Sequence, residues 1–261
     1  MTNFGGAFWG ELLKVRRSRM LWATALGFLI LPAAGGLFMV ILKNPEWAMR
    51  AGLISTKARL LAGTADWPSY LSLLSQGMAG GALVLFGLIT SWVIGREYAD
   101  RTAVDLLAVP TRRSTIVMAK LLVIALWAAG LTLEVLLVGL AVGVAVRLPP
   151  TTSAFVAAQL GVMAGVAMLS VLLMTPFAFL ASAGRGYLAP VGGIFLVLML
   201  AQLSSVLGRG QFFPWAVPLL ATGAGGPDAV VGPISYAIVL VTCLLGIAAT
   251  LWWWERADQI V

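Results

Sequence analysis

Charge is scarce in this sequence of 261 residues. Only 10% of the residues are Asp, Glu, Lys or Arg, whereas 61% are hydrophobic. A soluble domain carries about 25% charged residues, so this chain has too few to cover the surface of a water-soluble protein of its size. The composition excludes a soluble globular protein and indicates a polytopic membrane protein.

Histidine is absent and cysteine occurs once, as Cys243. These absences exclude imidazole metal ligands, a serine–histidine dyad, an internal disulfide and a thiolate-rich zinc site. Each lysine is followed by Val, Asn, Ala or Leu, so the chain lacks the Gly-Lys-Ser/Thr motif that binds the phosphates of ATP. We therefore predict no catalytic residue, no metal site and no cofactor site in this chain. Nucleic-acid binding is disfavoured because the basic residues are divided among several loops.

Charge-poor stretches long enough to cross a bilayer recur six times. A spanning helix needs about 20 apolar residues, and backbone groups in lipid must be satisfied within the segment, which favours helices. We predict an all-α polytopic membrane protein, a single transmembrane domain over residues 1–261. The predicted spans are about 20–42, 71–95, 117–146, 154–182, 187–207 and 231–254.

Two flanking segments have other patterns. In residues 1–19, apolar side chains recur at helical spacing opposite a charged side, which predicts an amphipathic interfacial helix; a frayed leader is the alternative. The apolar members are Phe4, Phe8, Leu12 and Val15, and the charged members are Glu11, Lys14 and Arg17. Residues 209–230 hold prolines and a glycine cluster that break helices, which predicts an extracellular re-entrant segment.

Basic residues set the expected orientation. Eleven of the 17 Lys and Arg lie before the first span, in the 96–120 loop and at two other positions on the same side, Arg185 and Arg256. Because cytoplasmic loops carry the excess of Lys and Arg, both termini are predicted to be cytoplasmic, in the cell (inner) membrane.

Three polar side chains inside the predicted spans are candidate functional groups. Glu134 lies mid-span, where a charged carboxylate costs about 2.5–3.5 kcal/mol, and Gln159 and Gln202 are milder cases. All three are candidates for a translocation path or gate. Structural hydrogen bonds between helices are the alternative for each.

The cytoplasmic stretch 95–120 carries the most distinctive pattern. It predicts a charged amphipathic helix within residues 96–113 that Pro110 ends, with a new helix beginning near Ser114. A short helix projecting from a span suits docking in a groove of a partner protein. An interfacial loop helix that contacts only lipid headgroups is the alternative.

This stretch resembles the signature region of ABC-2 type transporter permeases. The matching positions are Glu97, Tyr98, Thr102, Leu106, Leu107, Pro110, Arg113 and Lys120. Residues 11–18 and the Phe213-Pro214-Trp215 run are also similar to family segments, and the bacitracin-resistance and small multidrug or immunity permeases are the nearest members.

The resemblance implies a transporter subunit rather than an enzyme. It implies a dimer of six-span permeases, expected to be a homodimer, bound to two cytosolic ATPase subunits that hold ATP and Mg²⁺. Residues 96–113 would be the coupling helix, with Glu97 anchoring its start, Tyr98, Thr102, Leu106, Leu107 and Pro110 shaping the docking surface, and Arg113 pairing with a carboxylate. The expected function is export of an amphipathic or apolar drug, peptide or lipid.

Two other functional classes remain at this stage. One is a secondary transporter or channel with Glu134 as its proton-coupled or gating group, although no inverted repeat is evident. The other is a membrane-embedded enzyme, which the absence of histidine disfavours.

Overall fold

The computed structural model describes residues 4–52, 63–100, 111–226 and 231–256, and every regular element in these ranges is helical. In chain order the helices are α1 (Phe4–Arg16), α2 (Arg19–Lys43), α3 (Pro45–Arg50), α4 (Trp67–Ala99), α5 (Arg113–Ala145), α6 (Ser153–Leu172), α7 (Thr175–Ala183), α8 (Leu188–Val206), α9 (Val217–Leu220) and α10 (Pro233–Arg256), with 3-10 turns at Gly210–Phe212 and Pro214–Ala216.

Six segments of this part of the chain are long and apolar enough to cross a membrane. They are Arg19–Lys43, Trp67–Ala99, Arg113–Ala145, Ser153–Ala183, Leu188–Val206 and Pro233–Arg256. The predicted all-α, six-span polytopic fold is therefore confirmed. Helices α4 and α5 extend past the predicted span limits, toward the 101–110 segment between them.

Helix α4 is the centre of the bundle. In the apolar 18-residue stretch of α4, 61% is buried, against 17% in the corresponding stretch of α8. Helix α4 packs against α2, α5, α6, α7 and α8. Its inward residues Tyr70, Leu74, Met78 and Phe86 are fully buried. A helix surrounded on most sides needs apolar side chains around most of its circumference, as this segment has.

The fourth span consists of two helices, α6 and α7, that are joined by a turn at residues 173–174. Proline has no N–H, and its ring clashes with the carbonyl four residues earlier. Pro176 therefore interrupts the backbone hydrogen bonds of the helix between α6 and α7. The Thr175 hydroxyl donates to the Leu172 carbonyl at 3.1 Å and the Cys243 carbonyl at 3.0 Å. On α10, Gly246 allows this close approach, because a Cβ there would lie 2.6 Å from Pro176 N.

Contacts between helix ends define two ends of the bundle. At one end, Lys43 Nζ donates to the carbonyls of Val146 and Arg147 at 2.9 and 2.7 Å. The described part of the 209–230 segment forms only 3-10 turns and the short helix α9. The opposite end holds α1, the end of α4, the start of α5 and the end of α10.

Candidate coupling site

The predicted coupling region is divided in the structure. Glu97 and Tyr98 belong to the last turn of α4, and Arg113 is the first residue of α5. Thr102, Leu106, Leu107 and Pro110 lie outside the described residues, so their predicted roles stay predictions. The structure shows how both flanks of the 101–110 segment are held.

A ring of four charges joins these flanks to α1. Lys120 Nζ lies 2.7 Å from Glu97 Oε1 and 2.8 Å from Glu11 Oε2. Lys14 Nζ lies 2.8 Å from Glu97 Oε1 and 2.7 Å from Glu11 Oε1. Each lysine thus bridges both glutamates, and the four formal charges cancel. We call these residues the four-charge ring.

Three members of the four-charge ring are buried, and the side chain of the fourth, Lys14, is 32% exposed. Lys120 is 0% exposed, Glu97 2% and Glu11 5%, and Lys120 Nζ also approaches the Val93 carbonyl at 3.5 Å. Buried charges are tolerated when paired and hydrogen-bonded, and removing one partner is strongly destabilising. The ring therefore fixes α1, α4 and α5 in one arrangement.

Helix α1 turns part of its charged side inward. Glu11 is buried against α5, while Phe4 and Trp9 are exposed. Burial acts to lower the pKa of Lys14, but the charges and hydrogen bonds of Glu11 and Glu97 outweigh it, so the pKa is raised above 10.5. Lys14 therefore stays protonated at neutral pH.

A second anchor holds the same flanks on α10. The Tyr98 ring meets the Trp254 indole edge-on, with centroids 6.2 Å apart, and Arg113 Nη1 donates to the Trp254 carbonyl at 3.1 Å. Trp254 Nε1 in turn donates to Ser182 Oγ at 2.9 Å. Arg113, expected to meet a carboxylate, here satisfies a carbonyl of the last turn of α10, where basic side chains are favourable.

The short connection between α7 and α8 also reaches this end of the bundle. A Cβ at Gly95 would lie 2.9 Å from Tyr187 Cδ1, so glycine permits the contact. Burial raises the pKa of the Tyr187 hydroxyl, and the charge of Asp100 adds to the rise. This end of the bundle thus brings together α1, α4, α5, α10 and the connection between α7 and α8.

The three polar candidates inside the spans are not brought together. Glu134 and Gln159 are half-buried on α5 and α6, whereas Gln202 is exposed on α8. Across the described ranges, no hydrogen bond or ion pair joins them. Gln202 lines a cavity with Gln76 of α4.

The sequence places Glu97 and Lys120 in one motif, but it assigns a role only to Glu97 and does not identify Glu11 or Lys14 as their partners. The available signal was Lys120, which is flanked by apolar residues and therefore needs a buried anion. Which acid supplies it depends on how α1 folds back, and no local spacing encodes that. Trp254 ends a run of three tryptophans near the end of α10, a pattern typical of residues at the membrane interface, but it is buried and anchors the two flanks instead.

Comparison with known proteins agrees with this architecture. The sequence profile described as "ABC-2 family transporter protein" matches residues 7–202, a range that contains the whole four-charge ring. The chain is 29% identical over 178 residues to the bacitracin transport permease protein BCRB of Bacillus licheniformis, covering 67% of this chain and 84% of that protein. No solved structure matches it significantly. The resemblance noted in residues 95–120 is confirmed, and the chain belongs to the ABC-2 transporter family as a multi-pass membrane subunit whose family implies an ATPase partner.

Proposed function

We propose that this chain is the permease of an ATP-driven exporter and that residues 101–110 dock a separate ATPase subunit. The observation that carries the proposal is that both flanks of this segment are fixed twice. Glu97 and Lys120 enter the four-charge ring, and Tyr98 and Arg113 are held by Trp254. A docking element transmits force to the spans only when its base is rigid.

The path of force follows from these contacts. A displacement of the docked segment moves the end of α4 and the start of α5 together, because Lys120 joins them. Helix α4 is the buried centre of the bundle, so its motion reaches every helix that packs on it. Closure of the ATPase dimer would in this way rearrange the transmembrane helices. ATP and Mg²⁺ are bound by the ATPase.

The ring end of the bundle is proposed to face the cytoplasm of the cell (inner) membrane. Most Lys and Arg, including Arg16, Arg17, Arg112 and Arg256, lie at this end, and cytoplasmic sides carry the basic excess. Both termini then lie in the cytoplasm, and the 3-10 turns at 210–216 lie on the outer side. A second permease copy, forming a homodimer, would complete the transport path.

The proposed cargo is an amphipathic or apolar molecule such as a drug, peptide or lipid. The similarity to a bacitracin transport permease supports this class and an associated role in resistance. The direction of transport is proposed as export, in keeping with the resemblance to resistance and immunity permeases.

Co-purification tests the docking role. The tagged permease is co-expressed with the untagged ATPase encoded at the same locus, and we expect the two to purify together. Leu106→Asp with Leu107→Asp should release the ATPase. Leu207→Asp, an exposed leucine at the other end of the bundle, should retain it. Retention of the ATPase by the double variant would contradict the docking assignment.

A further inference from the structure

Helix α1 buries members of both its predicted apolar side and its predicted charged side. Val15 is buried and Phe8 is half-buried, while Glu11 and Lys14 belong to the four-charge ring. The side of α1 that faces away from the bundle is therefore formed by other residues.

This outward side of α1 is aromatic and basic. Trp9, Leu13 and Arg16 are spaced by four and three residues, so they share one face of the helix. Trp9 is 54% exposed, Leu13 is half-buried and Arg16 is exposed. Glu11 is the only acidic residue of α1, and it lies about 140° around the helix from Arg16 at 3.6 residues per turn. The outward side of α1 therefore carries no carboxylate.

Two further arginines follow where α1 ends. Arg17 and Arg19 lie on either side of Ser18 in the turn to α2, and both are exposed, as Arg16 is. Consecutive Cα atoms are about 3.8 Å apart, so the Cα atoms of Arg16 and Arg19 lie within about 11 Å of each other. Within the described ranges, no ion pair or side-chain hydrogen bond engages any of the three. We call Arg16, Arg17 and Arg19 the arginine triplet.

Other basic residues at this end of the bundle already have partners. The Arg96 guanidinium lies 4.6 Å from the centre of the Trp92 ring, and that of Arg256 lies 5.5 Å from the centre of the Trp252 ring. Arg113 donates to a carbonyl of α10. The arginine triplet differs because its charges are exposed, closely spaced and unpaired in the described part of the chain. It is therefore a surface suited to an anionic partner outside this chain.

The bilayer supplies anionic groups at the level of the arginine triplet. Trp22, in the first turn of α2, is 71% exposed, and α2 is one of the six candidate spans. Exposed tryptophans at the ends of spans lie at the level of the lipid headgroups, and Trp9 and Trp22 precede and follow the triplet in the chain. Guanidinium groups bind phosphate through paired N–H donors, and basic segments next to spans are attracted to anionic lipid. The charge and the position of the triplet therefore both favour a phospholipid headgroup.

We propose that the arginine triplet binds the phosphate of an anionic phospholipid, while Trp9 and Trp22 contact the neighbouring lipid. A zwitterionic headgroup carries its own ammonium, and the outward side of α1 has no carboxylate to receive it, so the surface favours an anionic lipid such as phosphatidylglycerol. Glu11 and Lys14, on the inward side, join this lipid-bound helix to α4 and α5. Bound lipid thus stabilises the flanks of the 101–110 segment through the four-charge ring. The proposed function enters only in assigning the lipid to the cytoplasmic leaflet.

Lipid binding to the full-length permease in a neutral detergent tests this surface. Dioleoylphosphatidylglycerol and dioleoylphosphatidylcholine are titrated separately, and native mass spectrometry gives the dissociation constant of the first lipid bound. The parent should bind phosphatidylglycerol more tightly than phosphatidylcholine. Phosphatidylglycerol with a diazirine on its headgroup should label residues 9–22.

Two sets of substitutions in the triplet separate charge from structure. Arg16→Gln, Arg17→Gln and Arg19→Gln together should weaken phosphatidylglycerol binding about 100-fold, at about 5-fold for each basic residue near a membrane surface. Binding of phosphatidylcholine should stay nearly unchanged. Arg16→Lys, Arg17→Lys and Arg19→Lys together keep the charges and should retain most of the preference. Without added lipid, the glutamine variant should melt at the temperature of the parent, because it loses no ion pair, and this checks that it folds.

A matched control removes the same number of charges elsewhere. Arg50→Gln, Arg147→Gln and Arg209→Gln together replace three exposed arginines at the opposite end of the bundle. This variant should bind phosphatidylglycerol as the parent does. An equal loss of binding in this variant would mean that net charge, and not the arginine triplet, selects the lipid, and would overturn the proposal.

Other outcomes would also overturn it. These are equal affinities of the parent for the two lipids, or an unchanged affinity of the glutamine variant for phosphatidylglycerol. If the glutamine variant loses the co-purifying ATPase while its lipid binding is unchanged, the triplet binds an acidic protein surface instead. Lipid binding is measured on the permease alone, so its failure is distinguishable from a failure of ATPase docking, which co-purification tests.

Discussion

Replacing Lys120 with methionine should cost about 3–5 kcal/mol of stability, the range for a broken buried ion pair. Lys120 has contacts of 2.7 and 2.8 Å to Glu97 and Glu11, and at an effective dielectric constant of about 20 each is worth about 6 kcal/mol. Repulsion from Lys14, which shares Glu97 Oε1 with Lys120, offsets part of this attraction. The loss is reduced further, by several kcal/mol, since the ammonium no longer has to be desolvated.

Charge balance gives this prediction a sharper form. Lys120→Met leaves the ring with an excess negative charge, and Glu97→Gln leaves it with an excess positive charge. The double variant is neutral and keeps the contact of Lys14 with Glu11. We therefore expect the double variant to lose about 2 kcal/mol less than the sum of the single losses, a coupling typical of residues in one network.

Unfolding in mixed detergent–SDS micelles, followed by tryptophan fluorescence, measures these differences. Lys43→Met is the control, because Lys43 also donates to two carbonyls but is exposed at the other end of the bundle, so its loss should be smaller. Single losses below about 1 kcal/mol, or additivity within about 0.5 kcal/mol, would refute the ring as a stabilising element.

Three other outcomes are expected. Gly246→Leu should block assembly of α7 with α10, because a Cβ would lie 2.6 Å from Pro176 N, and it should lower the melting temperature far more than the change of exposed Ala248 to Leu. Because the pKa of Lys14 is raised in the folded state, the stability that its charge contributes is fully present below pH 10.5 and is lost as the pH rises through the higher folded pKa. The melting temperature of the parent should thus stay constant from neutral pH to below 10.5 and fall above it. An ATP-driven mechanism needs no proton-coupled carboxyl in a span, so transport should persist in Glu134→Gln. If transport by the parent depends on a proton gradient and this dependence is lost in Glu134→Gln, the secondary-transporter alternative is favoured.

Much of the fold follows from composition, because runs of about 20 apolar residues have few folded solutions outside a membrane. The break between α6 and α7 cannot be placed from the sequence alone, although Pro176 is visible, because prolines inside spans are often accommodated by neighbouring helices. Its consequence depends on Thr175 meeting α10, and that contact is set by packing between segments distant in sequence.

In the site, too, the sequence predicts residues that lie close together in one motif, but not contacts between residues that are distant in sequence. Glu97, Tyr98, Arg113 and Lys120 belong to one local pattern, so the resemblance located them together. The pairing of Lys120 with Glu11 spans 109 residues, and no spacing rule reaches that far.

Cross-linking between permease and ATPase tests the central claim most directly. In a Cys243→Ala background, a cysteine replaces Arg112 at the edge of the 101–110 segment, or Ala224 at the opposite end, and a thiol-to-amine reagent joins it to the co-expressed ATPase. Docking at the ring end predicts a cross-linked product for Arg112→Cys and none for Ala224→Cys. Cross-linking from Ala224→Cys, or from neither position in a complex that purifies intact, would contradict the assignment of this end of the bundle as the ATPase dock.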